Sequence, residues 1–143
     1  MGQTGVIEHH IDTGKHPTNR QALRRHPPPL LQAIREQTEL MVKQNIIEPS
    51  VSGLTSNVVL VRKKDNTLRF CVDYRRLNEV NQNDAYPLPR IDACLDATSG
   101  ARWFSIFDLK SGYHQVIMDE ESRDKTTFVT REETFRFRSC HSV

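Results

Sequence analysis

Two groups of side chains in this sequence have the type and spacing to do chemistry. Asp108 ends the run Trp103-Phe104-Ser105-Ile106-Phe107, and a carboxylate at the mouth of an apolar strand loses solvation that a cation, a metal ion or several donors must offset. Magnesium sites commonly combine one or two such carboxylates with substrate phosphates. The same placement also suits an aspartate that ends a strand and caps the next turn. Arg62, Lys63, Lys64, Arg69, Arg75 and Arg76 form the second group; arginine forks and lysine point charges grip phosphates, and the same residues equally make a solvated face.

Two further patterns are weaker. Asp12-Thr13-Gly14 is the tripeptide of aspartic proteases, in which two such aspartates share a proton. A protease needs an apolar strand ahead of it, whereas His9-His10 precede and Lys15-His16-Pro17 follow. The six histidines show no HExxH-type spacing. Tyr113 and His114 read as ordinary residues of a helix start.

The chain that must position these groups has 143 residues, one domain's worth. Apolar residues make up 36%, a thin core for that length. The net charge of +2 hides segregation: residues 61–76 carry six basic and two acidic side chains, and residues 119–133 six acidic and three basic. No apolar run approaches the roughly 20 residues that span a bilayer, so no membrane partner is expected. Three dispersed cysteines match neither a disulfide framework nor a paired zinc pattern. Val6 stands where a myristoylation motif needs Ser or Thr. These features lead us to expect a soluble intracellular protein.

The elements follow from periodicity. Gly5, Gly14, Pro17 and Pro27-Pro28-Pro29 predict an extended arm over residues 1–29, without helix or central strand. Leu30, Ile34, Leu40, Met41 and Ile46 recur near the helical period after prolines suited to a helix start, which predicts a helix over 30–45. Val58 to Val61 and Leu68 to Val72 flank Lys64-Asp65-Asn66-Thr67, a hairpin with a basic tip. Residues 84–90 read as an extended connector, 91–97 as a short helix ended by Ser99-Gly100, 103–107 as a buried strand delivering Asp108, and 126–130 with 134–137 as strands around a polar turn.

Several blocks then combine. Val58-Val59-Leu60-Val61-Arg62-Lys63-Lys64-Asp65 and Leu68-Arg69-Phe70-Cys71-Val72-Asp73-Tyr74-Arg75-Arg76-Leu77-Asn78 resemble the reverse transcriptases of gypsy-type LTR retrotransposons. Asp84 to Asp92, Phe104 to Gln115 and Lys125 to Thr130 follow in that family's order, and His10 to Gly14 resembles the segment that precedes its fingers. The resemblance covers roughly residues 8–138.

What the resemblance implies is an α+β fold, the right hand of a polymerase: an arm at 1–29, fingers with the first part of the palm at 30–138. Asp108 matches the first catalytic aspartate, which with the backbone carbonyl of Leu109 would bind two magnesium ions. Lys63 or Lys64, with Arg69, matches the residues that hold the incoming triphosphate. The backbone at Lys110, Ser111 and Gly112 would lie against that triphosphate, and Tyr113 matches the side chain under the deoxyribose. Asp73 and Arg75 match template-side positions of the fingers. The implied partners are an RNA or DNA template with primer and dNTPs, and the protease, RNase H and integrase of a Pol polyprotein, in cytoplasmic particles or the nucleus.

The sequence also departs from the family. Its two further palm carboxylates, on an Asp-Asp turn, have no counterpart in these 143 residues, so magnesium binding is expected to be weak or absent and the chain inactive. A nucleic-acid-binding remnant without catalysis is the alternative. A single base lost upstream would turn family-like codons for Val-Leu-Pro-Phe-Gly-Leu into Ser-Cys-His-Ser-Val and a stop. That leads us to expect residues 139–143 to be a frameshifted tail, and reading the locus in all frames tests it.

Overall fold

The computed structural model describes residues 4–15, 20–82, 87–108 and 112–140. After a strand β1 (Thr4–His9), helix α1 spans Pro28–Lys43. Prolines occupy its first positions, where the missing N–H costs nothing. It ends as Asn45 takes a left-handed φ of 55°, a conformation asparagine tolerates well. The helix stripe Ile34, Thr38 and Met41 turns inward, and the buried Thr38 hydroxyl donates to the Ile34 and Arg35 carbonyls, so no polar atom there is left unsatisfied.

Strands β2 (Ile47–Pro49), β3 (Ser56–Arg62) and β4 (Leu68–Asp73) precede short helices α2 (Arg75–Val80) and α3 (Ile91–Ala97). A 3-10 turn (Gly112–Gln115), β5 (Val116–Met118), α4 (Glu120–Lys125), β6 (Phe128–Val129) and β7 (Thr134–Phe137) complete the chain. Five strands form one mixed sheet in the order β2-β7-β6-β3-β4. Its inner face carries the core: Phe128 has no exposed surface, and its ring lies 5.7 Å from Phe70, 5.9 Å from Phe135 and 5.3 Å from Phe137. Tyr74, also buried, donates its hydroxyl to the Thr126 carbonyl at 2.6 Å, and burial pushes its pKa well up.

The hairpin at 56–73, α1, α3 and the strands around the polar turn at 131–133 lie where the sequence predicts them. Two expectations fail. Residues 4–9 of the arm form a strand, paired in parallel with β5 in a separate two-stranded sheet. A single glycine, Gly5, does not prevent edge pairing, and the prolines begin only at Pro17, so the Thr4 to His9 stretch is free to pair at an edge. Residues 103–107 form no strand and are not buried; Trp103, Ile106 and Phe107 are each more than four-fifths exposed. An apolar run is buried only when a surface covers it, and among the described residues no strand lies beside this one. Helix α3 is likewise exposed throughout. Of the connector, residues 83–86 lie outside the described residues.

The arm is stitched to the far end of the chain. Asp119 caps α4 by accepting from the Ser122 N–H at 2.6 Å, and its other oxygen contacts the His10 ring and the Ser122 hydroxyl. Ser122 in turn accepts from the Ile11 N–H at 2.8 Å, while Lys125 donates to the Ile11 carbonyl. The Asp12-Thr13-Gly14 motif is a turn in this strap: the Gly14 N–H donates to the Asp12 side chain at 2.8 Å, and Gly14 takes a φ of 54°. Gln82 holds the Asp12 carbonyl.

Candidate nucleic-acid interface

The basic groups are presented by the β3-β4 hairpin. Its tip closes through Lys63 and Thr67, whose backbones bond at 2.8 Å, with Asn66 in the left-handed region at a φ of 64°. The Asp65 carboxylate accepts from both the N–H and the hydroxyl of Thr67, which holds its pKa below the ordinary range. Lys63 and Lys64 are therefore exposed on an ordered turn.

Strand alternation sorts the rest. Leu68, Phe70 and Val72 face the core side, so Arg69, Cys71 and Asp73 point the other way. Arg69 sits opposite Val61, close to the tip, and Asp73 opposite Asn57 at the base. Arg75 lays its guanidinium along Asp73 with both forks engaged, Nε to Oδ1 at 2.8 Å and Nη2 to Oδ2 at 2.7 Å. Arg24, from the arm, reaches the same Oδ2 at 3.6 Å. The Arg75 hydrogen bond is the main reason the Asp73 carboxyl titrates at about 2.

That depression makes an acid-limb prediction. The folded carboxyl binds its proton less readily than the unfolded one, so its stabilisation is complete above the unfolded pKa and is lost as the pH falls from about 4 towards about 2. Urea unfolding across that window should show the chain losing stability faster than Asp73→Asn, which has no proton to take up. Parallel losses in the two proteins would show that Asp73 contributes nothing to the acid limb.

The other expected site residues are not gathered here. Tyr113 is 61% exposed in the 3-10 turn beside Gly112. Asp108 is exposed, and among the described residues no hydrogen bond or ion pair reaches it. Leu109, Lys110 and Ser111 lie outside the described residues, as do residues 141–143 of the expected tail. Among the described residues no three His, Cys, Asp or Glu side chains are grouped so that they could hold a metal ion. A centre for two magnesium ions needs carboxylates on both sides of the ion pair, so the donor set present does not fit one. No described helix is long and apolar enough to cross a membrane.

Sequence reasoning missed Arg24. The local signal was the pair Arg24-Arg25 ahead of the prolines, but nothing local says that the arm returns to the base of the hairpin.

Comparison with known proteins places this geometry. The family model described as reverse transcriptase (RNA-dependent DNA polymerase) matches residues 61–142. The retrovirus-related Pol polyprotein from transposon 412 of Drosophila melanogaster is 41% identical over 119 residues, covering 79% of this chain and 10% of that one. The corresponding polyprotein from transposon 297 of Drosophila melanogaster is 34% identical over 137 residues, covering 90% of this chain and 13% of that one. The chain thus spans about a tenth of the curated relatives it matches. An RNA-directed DNA polymerase homolog of Oenothera berteroana is 46% identical over 72 residues, half of each chain. Among solved structures, the Prototype Foamy Virus protease-reverse transcriptase superposes with a TM-score of 0.77 at 23% identity, covering 99% of this chain and 19% of that one. The foamy viral protease-reverse transcriptase in complex with an RNA/DNA hybrid superposes equally well, at 17% identity. At these identities the structural likeness is one of fold.

Proposed function

Because the chain belongs to the reverse transcriptase (RNA-dependent DNA polymerase) family, we propose that it supplies the fingers and the first part of the palm of a retrotransposon RNA-directed DNA polymerase. The observation that carries this reading is the ordered hairpin, with Lys63, Lys64 and Arg69 towards its tip and the Asp73–Arg75 pair at its base. In the whole polymerase the tip cations hold the triphosphate of the incoming dNTP, where lysine supplies point charge and arginine a fork. The base of the hairpin meets the template. Gly112 and Tyr113, with Lys110 and Ser111, lie along the bound nucleotide, and the exposed ring of Tyr113 is free to pack under its sugar.

The family's polymerases depend on divalent metal ions. Asp108, with the Leu109 carbonyl, is the group this chain offers towards magnesium, and the remaining carboxylates come from polypeptide outside this sequence. The remainder of the Pol polyprotein is the natural partner, in cytoplasmic particles of the parent element. That no hydrogen bond or ion pair reaches Asp108 among the described residues favours a second reading, a nucleic-acid-binding remnant without catalysis.

Two assays test these readings on the 143-residue chain. Fluorescence anisotropy with a labelled primer-template should show binding whose logarithm falls linearly with that of salt concentration, weakened at least about tenfold when Lys63, Lys64 and Arg69 are all replaced by alanine. Primer extension should yield no product. DNA synthesis abolished by Asp108→Ala would overturn the inactivity of this chain, and binding indifferent to the hairpin triple variant would overturn the fingers reading.

A further inference from the structure

A buried amide on β3 reads the backbone of the arm where it docks against the hairpin. Asn57, only 5% exposed, uses its Oδ1 to accept from the Arg24 N–H at 2.9 Å and its Nδ2 to donate to the Ala22 carbonyl at 2.9 Å and to the Gln21 side chain at 3.1 Å. Gln21 also donates its N–H to the Thr55 carbonyl at 3.1 Å. A fully engaged buried amide fixes the register of the chain it reads, so the position of Arg24 is set by its own backbone.

That register brings the Arg24 guanidinium to Asp73, whose side chain is 10% exposed, while Arg24 and Arg75 remain 51% and 77% exposed. Both Nη2 atoms face the same carboxylate oxygen, so the two guanidiniums are held side by side. Each guanidinium has five N–H donors. Arg75 spends Nε and Nη2 on Asp73 while most of its side chain remains exposed. Asp73 thus orders the donors of two cations, and Glu79 is a further carboxylate near enough to act on Arg75.

We infer that Asp73 is a positioning residue for a two-arginine phosphate site, in which Arg24 of the arm and Arg75 of the fingers together take a backbone phosphate of a single-stranded template. This rests on the polymerase reading and adds to it a residue of the arm and a role for the acid. The arm is thereby part of the template surface rather than a tether. A carboxylate facing a phosphate would ordinarily repel it; here its attraction for two arginines determines where their free donors point.

The sign of one substitution separates the two effects. Asp73→Asn removes a negative charge from the chain, so coulombic attraction alone predicts tighter binding of a polyanion. Loss of positioning predicts the reverse: anisotropy with fluorescein-labelled oligothymidylate should show binding weakened about fivefold. The slope of log affinity against log salt should flatten by about 0.7, one phosphate contact on a single strand. Asp73→Glu should restore most of both. Arg24→Gln should weaken binding several-fold more than Arg25→Gln, which removes the same charge from the next residue. This comparison holds even where Asp73→Asn fails to fold.

Binding by Asp73→Asn that equals or exceeds that of the unmodified chain would overturn the site, as would equal losses from Arg24→Gln and Arg25→Gln. Either result leaves the polymerase reading intact, because the tip cations would still bind. Absence of oligonucleotide binding by the unmodified chain would overturn the polymerase reading and this site together.

Discussion

Phe128→Ala is expected to bring the chain to the edge of unfolding at ambient temperature. Phe128 is fully buried on the central strand pairing, and its ring touches Phe70 of β4 and Phe135 and Phe137 of β7. Truncating a buried phenylalanine costs about 3–5 kcal/mol, from lost transfer energy and the cavity left behind. A domain of this size has about 5–15 kcal/mol in all, and a chain with 36% apolar residues sits at the low end. The large apolar side chains at 88–107 are exposed and contribute nothing to the core. Circular dichroism during urea unfolding measures the loss. Phe128→Leu, which keeps most of the volume, should cost about 1.5 kcal/mol. A loss below about 1 kcal/mol for the alanine variant would mean that the phenylalanine cluster is not the seat of stability.

The second large effect is expected at Arg136, on β7. Its guanidinium donates to Glu48 on β2 at 2.7 Å and to Asp124 on α4 at 2.9 Å, and it pairs with Glu120 at 2.8 Å. Burial opposes its charge, but the Asp124 and Glu48 hydrogen bonds outweigh that and raise its pKa. Arg136→Met keeps the apolar stem and removes the cation from among three carboxylates. With the side chain 21% exposed, the cost should be about 2–3 kcal/mol, below that of a fully buried pair. Arg123 still pairs with Glu120 at 2.7 Å and Arg138 with Glu48 at 3.5 Å in the variant, so the cost falls mainly on the link between β7 and α4. Urea unfolding measures it, and a loss below about 0.5 kcal/mol would mean that the Arg136 ion pairs contribute nothing to stability.

The α+β polymerase fold expected from the motif blocks is borne out, and its parts were unequally legible. Helix α1 and the hairpin at 56–73 follow from local periodicity and turn chemistry, which neighbouring residues carry by themselves. The pairing of Thr4–His9 with Val116–Met118 joins segments more than a hundred residues apart, and alternation within either strand says nothing of its partner. The run 103–107 shows the converse limit: its composition reports that it suits burial, not that a covering surface is present. The contact between Asp73 and Arg75 is a local one, two residues apart where β4 ends and α2 begins. That of Arg24 is not, because its position depends on what the buried Asn57 holds.

The strap that ties His10 and Ile11 to α4 has a consequence for how the molecule is made. Its contacts close a loop of more than a hundred residues, with α1 and the whole hairpin inside it. The entropy of closing such a loop must be met before the contacts repay it, and high contact order slows folding. During synthesis the strand Thr4–His9 has no partner until residues 116–126 have left the ribosome, so a segment made before α1 and the hairpin finds its place after them.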